Sequence, residues 1–280
     1  MASDLRRQEN GIVNRMKFSI VLSTQPSSFS ALAYKGNLAE NIAKIQKLGF
    51  DGVELAIRNP EELDMPFLRS ALEVHRLPVP AIGTGQAYVE ERLSFTDPKK
   101  EIRERAIQRI KSHALVAAQL NALVIIGLIR GKRDPSLERA IAEAYLEEAV
   151  RECASSCPDV RFAIEPINRY ETDLLNDVQS ALRFLERVGK SNVGLLLDTF
   201  HMNIEERNLT ESIRLAQKSL FHFHVADSNR WYPGAGHIDF RPVLETLDEI
   251  DYSGFVSAEI LPMPDPDSAA KRTIENLRQF

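Results

Sequence analysis

VGLLLDTFHMN, residues 193–203, opens as an apolar run and ends in Asp198, His201 and Asn203. A strand apolar at every position is buried on both faces, as in a parallel sheet covered by helices. Its carboxylate then stands where the strand leaves the sheet. Outward from this stretch the same form recurs. KFSIVLS, DGVELAI, PVPAIGT, ALVIIGLI, RFAIEP, VGLLLD, LFHFHVA and GFVSAEI are apolar runs separated by amphipathic stretches. Asn37 caps a helix carrying Leu38, Ile42, Ile45 and Leu48, which Gly49 stops. Further helices are expected around Glu61–His75, from Asp97 and Pro98, and from Pro135. Another carries Val178, Leu182, Leu185 and Val188 and stops at Gly189. Asn208 and Glu211 have capping-box spacing, and a helix spans Asp239–Ile250 before the closing one.

Eight strand–helix units predict an α/β fold, a single closed (β/α)8 TIM barrel over residues 16–280. The rival is an open doubly wound sheet. That architecture carries a glycine-rich phosphate loop after its first strand, and VLSTQPSSFS is not one. Residues 1–15 are polar and aperiodic and are expected to form a flexible N-terminal extension. The chain has 280 residues, 44% hydrophobic, enough for a large core. A net charge of −5 argues against nucleic-acid binding through bulk positive charge. Cys153 and Cys157 cannot build a disulfide framework and read as packed thiols. No apolar run is long enough to span a membrane, and the start lacks a signal-peptide pattern, so a cytoplasmic protein is expected.

In such barrels the active site lies at the C-terminal ends of the strands. Strand five ends in Glu165, strand six in Asp198, strand seven in His224 and strand eight in Glu259. A single strand-end glutamate is usually a salt-bridge partner or a cap, but four consecutive strands delivering one ligand each point to a metal site. Side-chain alternation puts Ala163, Leu196, His222 and Ser257 one layer below them. Three carboxylates and one imidazole favour one divalent ion, Mn²⁺ first, with Co²⁺, Mg²⁺ or Zn²⁺ as alternatives. Glu54 reads either as a pocket residue or as half of a buried ion pair, His222 as a hydrogen-bonded layer residue, and His237 as a turn residue, with an approach to the site as the lesser alternative.

IEPINRYETD, LLDTFHMNIEE, FHVADSNRWYPGAGHIDF and VSAEILP resemble the xylose isomerase-like barrel superfamily, in its ketose 3-epimerase branch. D-tagatose and D-psicose 3-epimerases carry similar motifs. The likeness to the 5-keto-L-gluconate epimerases extends to AIGTGQAY and ALVIIGLIRGKR. The resemblance implies that Glu165, Asp198, His224 and Glu259 bind the metal. It also implies that Glu165 and Glu259 are the paired acid and base, one on each face of the sugar. A carbon next to the ketone would then invert through a cis-enediolate. Glu171, His201 and Arg230 match residues that hold the substrate. A homo-oligomer is implied as well.

Arg130, Lys132 and Arg133 cluster after strand four, and arginine suits a carboxylate or phosphate. Arg130 and Lys132 therefore point to an anionic keto-sugar, of the 5-keto-L-gluconate to D-tagaturonate type. A ketose or ketose-phosphate 3-epimerase, an aldose–ketose isomerase and a dehydratase remain alternatives on the same fold. An endonuclease IV-like DNA-repair enzyme would need extra histidines on early strands, and none ends strands two to four. A non-catalytic sugar-binding barrel would not need two opposed glutamates.

Overall fold

Apolar residues fall into two shells, inside and outside a closed ring of strands, in the computed structural model, which describes residues 16–279. The extension expected over residues 1–15 lies outside the described residues. Among those described, eight parallel strands make the ring: β1 (Lys17–Ser23), β2 (Gly52–Ala56), β3 (Ala81–Gly83), β4 (Leu123–Ile126), β5 (Phe162–Ile164), β6 (Val193–Asp198), β7 (Leu220–Val225) and β8 (Phe255–Ala258). Each pairs with its sequence neighbour, and β1 closes on β8 through Phe18↔Val256 and Ser19↔Ser257. A two-residue strand, Tyr34–Lys35, pairs with Leu22 and Ser23. The barrel expected from the alternation of elements is the fold observed.

Strand alternation sorts the core. Val124, Ile126, Phe162, Ile164, Leu195 and Leu197 face the helices and belong to the large outer core. Ala81, Leu123, Ile125, Ala163 and Leu196 form a separate cluster inside the barrel. The ring is covered by α1 (Leu38–Leu48), α2 (Met65–His75), α3 (Gly85–Glu91), α4 (Lys100–Leu120), α5 (Arg139–Ser156), α6 (Val178–Val188), α7 (Thr199–Glu205), α8 (Leu209–Ala216), α9 (Phe240–Glu249) and α10 (Pro266–Leu277). None of these is long and apolar enough to cross a membrane. The side chains of Asn208 and Asp239 cap α8 and α9 as their positions suggest, and Asp177 caps α6.

Four helix starts differ from expectation; α2, expected from around Glu61, begins at Met65 behind Asp64, which accepts from Phe67 N. Asn37 stands before α1 with φ 43° and makes no side-chain cap. Asp97 instead accepts the Lys99 amide at 2.8 Å, a local turn that delays α4 to Lys100. The segment from Pro135 is a turn, and α5 begins at Arg139.

One irregularity matters for the site. The β6–β7 register shifts between Leu195 and Leu196, so Leu195 faces Leu220 but Leu196 faces His222. The extra residue is Phe221. It fits because position 194 is glycine, where a Cβ would lie 2.5 Å from the Phe221 ring. The shift sets Asp198 level with His224. Without it, Asp198 would oppose Phe223, which belongs to the outer core.

Candidate active site

The four predicted ligands meet. One ligand atom each from Glu165, Asp198, His224 and Glu259 can be chosen so that all lie within 4.8 Å of one another. His224 Nδ1 is 3.8 Å from Asp198 Oδ2 and 3.9 Å from Glu259 Oε2. Asp198 ends β6 and also caps α7, its Oδ1 accepting from Phe200 N at 2.8 Å. Arg230 Nη1 donates to Asp198 Oδ2 at 2.5 Å, and its Nη2 donates to Glu259 Oε2. Two buried atoms of the cluster, His224 Nδ1 and Glu165 Oε1, have no hydrogen-bond partner. Buried polar atoms without partners are costly, and a cation among them would satisfy both. With its oxygen-rich donors the cluster therefore fits a single divalent ion.

The charges are set by burial first. Burial raises the Glu165 carboxyl above the usual range, and the charge on Glu259 raises it further. Burial also raises Glu259, against the pull of Arg230 and His224. Burial opposes the charge on Asp198 too, but the Arg230 guanidinium outweighs it, with His224 acting the same way, and holds that carboxyl low. Burial disfavours a charged His224, yet Glu54 outweighs that and lifts the imidazole to about 10.

Around the cluster is a cavity of about 460 Å³ lined from most of the barrel's strands. Glu171, His201 and Arg230, predicted to hold substrate, all line it. Asn168 Nδ2 lies 2.7 Å from His201 Nδ1 and 2.9 Å from Glu171 Oε1. The amide therefore donates to Nδ1, and the other ring nitrogen, Nε2, carries the proton. Burial keeps this imidazole neutral, its pKa lowered to about 3.

The basic cluster after β4 is dispersed. Arg133 pairs with Asp173 at 3.0 Å, Lys132 is exposed, and neither Lys132 nor Arg130 is among the cavity-lining residues. Arg130 is fully buried, within electrostatic reach of Glu165 and Glu171, and its three guanidinium nitrogens have no hydrogen-bond partner. His237 is exposed and away from the lining.

Several residues at the site carried little signal in the sequence. Gly127 lets β4 approach the cluster, since a Cβ there would lie 2.5 Å from Glu165 Oε2. Gln86 lines the cavity with a fixed amide orientation. Ser23 Oγ donates to Gln25 O at 2.5 Å, so it accepts from Gln86 Nε2 at 2.6 Å and leaves Oε1 without a partner. Asp227 accepts backbone N–H groups from Ser228, Gly234 and Ile238 and so ties down the loop that carries Arg230. The glycine in IIGLIRG and the glutamine in GTGQAY were the only marks these contacts left.

Comparison with known proteins agrees with this fold. The family model of the xylose isomerase-like TIM barrel matches residues 42–280. The chain is 33% identical over 229 residues to a ketose 3-epimerase from Arthrobacter globiformis, covering 78% of this chain and 76% of that protein. It is 27% identical over 270 residues to 3-dehydro-D-guloside 4-epimerase of Escherichia coli, covering 92% and 98%. The structure of D-allulose 3-epimerase from Methylomonas sp. with D-allulose superposes with a TM-score of 0.81 at 25% identity, covering 95% of this chain and 97% of that one. The chain belongs to the xylose isomerase-like TIM-barrel family, and among its relatives it stands with the carbohydrate epimerases, which are isomerases.

Proposed function

We propose that the protein epimerises a ketose at a carbon next to the ketone, using one divalent ion held by Glu165, Asp198, His224 and Glu259. The observation that carries this reading is the convergence of four ligand atoms within 4.8 Å, two of them buried without partners. Mn²⁺ suits the donor set best, ahead of Co²⁺, Mg²⁺ and Zn²⁺. A divalent ion there supplies positive charge that polarises the ketone and stabilises a cis-enediolate.

The protein's own groups do the rest. Glu165 and Glu259 enter the cluster from its two outer strands, β5 and β8, and act on opposite faces of the sugar. One removes the proton and the other returns a proton from the far side, because a single base would only restore the starting configuration. Microscopic reversibility lets the pair exchange roles with reaction direction. His201 offers Nε2–H to a substrate oxygen, Arg230 and Glu171 hold further oxygens, and Gln86 Oε1 accepts from a hydroxyl.

The substrate class in this reading is an acidic keto-sugar of the 5-keto-L-gluconate type, with D-tagaturonate as the product type. Arg130, a buried guanidinium without a hydrogen-bond partner, supports it, with Lys132 two residues on. A second reading, a neutral ketose, is favoured by the cavity lining, where Arg230 is the one arginine and already pairs with carboxylates.

NMR in D₂O on both substrate classes tests these readings. One deuteron should appear at the inverted carbon with the ketone unmoved, and the acidic ketose should turn over faster. Glu165→Gln and Glu259→Gln should each lower kcat by about 10²–10⁴-fold. Transfer of the carbonyl, or loss of water, would refute epimerisation. Faster turnover of the neutral sugar would select the second reading.

A further inference from the structure

Beneath the cluster lies a buried carboxylate that moves no proton in the proposed reaction. Glu54, from β2, is 1% exposed and reaches two histidines of β7. Its Oε2 is 2.7 Å from His222 Nε2, and its two oxygens are 3.0 and 3.1 Å from His224 Nε2. An ionised carboxylate only accepts hydrogen bonds, so both rings donate to it through Nε2–H. That leaves Nδ1 as the position of the His224 lone pair once an ion is bound. Nδ1 is the atom that faces Asp198 and Glu259 and has no hydrogen-bond partner. The His222 ring stands 5.2 Å from the His224 ring at 77°, and holds the other side of the same carboxylate.

We propose that Glu54 is a positioning residue. It fixes the tautomer and ring angle with which His224 offers Nδ1 to the divalent ion, and His222 braces it. The inference rests on the metal reading above. Ligating histidines commonly donate their second nitrogen to a carboxylate, which orients the ring and raises its basicity. A second ion between Glu54 and the histidines is the rival use of these residues, since their ligand atoms also lie within 4.8 Å. The distances disfavour it. Ligands around one tetrahedral ion stand roughly 3.4 Å apart, given metal–ligand bonds of about 2.1 Å. The 2.7 Å and 3.0 Å separations are those of shared protons.

Mn²⁺ titration of chelated protein by calorimetry is the test, on wild type, Glu54→Gln and His222→Gln, with near-UV circular dichroism confirming each fold. Wild type should take up one ion per chain. Glu54→Gln should bind it about 10–100-fold more weakly, because its amide can present N–H to His224 and force the wrong tautomer. His222→Gln should weaken binding less. A role confined to stability would lower the melting temperature without moving the dissociation constant. Should Glu54→Gln fail to fold, ¹⁵N NMR of wild type loaded with Mg²⁺ answers the same question: His224 should carry its proton on Nε2 with Nδ1 bare. Equal affinity in Glu54→Gln and wild type, a proton on Nδ1, or a second ion lost with Glu54 would each overturn the inference. Wild type that binds no ion would overturn the metal reading and the inference together.

Discussion

A single methyl group at position 127 separates placement from binding. Glu165 Oε2 occupies the space a Cβ would need, at 2.5 Å. Alanine there meets the far end of a side chain rather than backbone, so the carboxylate is the group that must move. Gly127→Ala should therefore lower kcat by about 10²-fold, the cost of moving a reacting group by about 1 Å. KM and melting temperature should change little, since Glu171, His201, Arg230 and Gln86, the substrate's other partners in the proposed reading, are untouched. Steady-state kinetics beside a thermal melt checks this, and wild-type kcat would show that Glu165 is not held by that contact. The same residue shows what a sequence conceals. The strand-end glutamate is legible from its place in RFAIEP, but the glycine that admits it comes from the neighbouring strand, 38 positions earlier.

Among the elements, the bulge in β7 does most to set the cluster. Phe221 is accommodated over Gly194, and the shift it causes turns Asp198 and His224 to the same side. A Cβ at position 194 would meet the Phe221 ring at 2.5 Å and the Ser219 carbonyl at 2.6 Å, and the carbonyl cannot swing aside. Gly194→Ala should cost about 1–3 kcal/mol of stability as overpacking. It should also weaken Mn²⁺ binding, because the register that aligns two ligands is under strain. Denaturant melts and ion titration check both. Unchanged stability and affinity would mean that the register does not depend on the glycine. This bulge was not readable in LFHFHVA, where one extra residue leaves the apolar pattern intact. Helix caps were readable where the cap precedes an apolar periodicity, as at Asn208 and Asp239. They misled at Asp97, whose side chain closes a turn of its own. The short α7 escaped notice because it starts on Asp198 itself and carries no apolar period.

Across the whole molecule, the barrel turns a pattern of separate strand ends into one site. Glu54 and His224 are 170 positions apart in sequence and hydrogen-bonded in the fold. Closure of β1 on β8 is what brings β2 within side-chain reach of β7 across the inside of the ring. The strand-end residues of the cluster were legible because each sits at the end of its own apolar run. The carboxylate below them was legible only in part, as half of a buried ion pair, because its partners are set by ring closure rather than by local spacing. With three carboxylates converging, the molecule as a whole should be an apo-enzyme without its ion. The most direct measurement is turnover of the ketose by exhaustively chelated protein, before and after stepwise return of Mn²⁺. Activity should vanish on chelation and recover in full at one equivalent per chain. Undiminished epimerisation by protein shown to hold no metal would contradict the account.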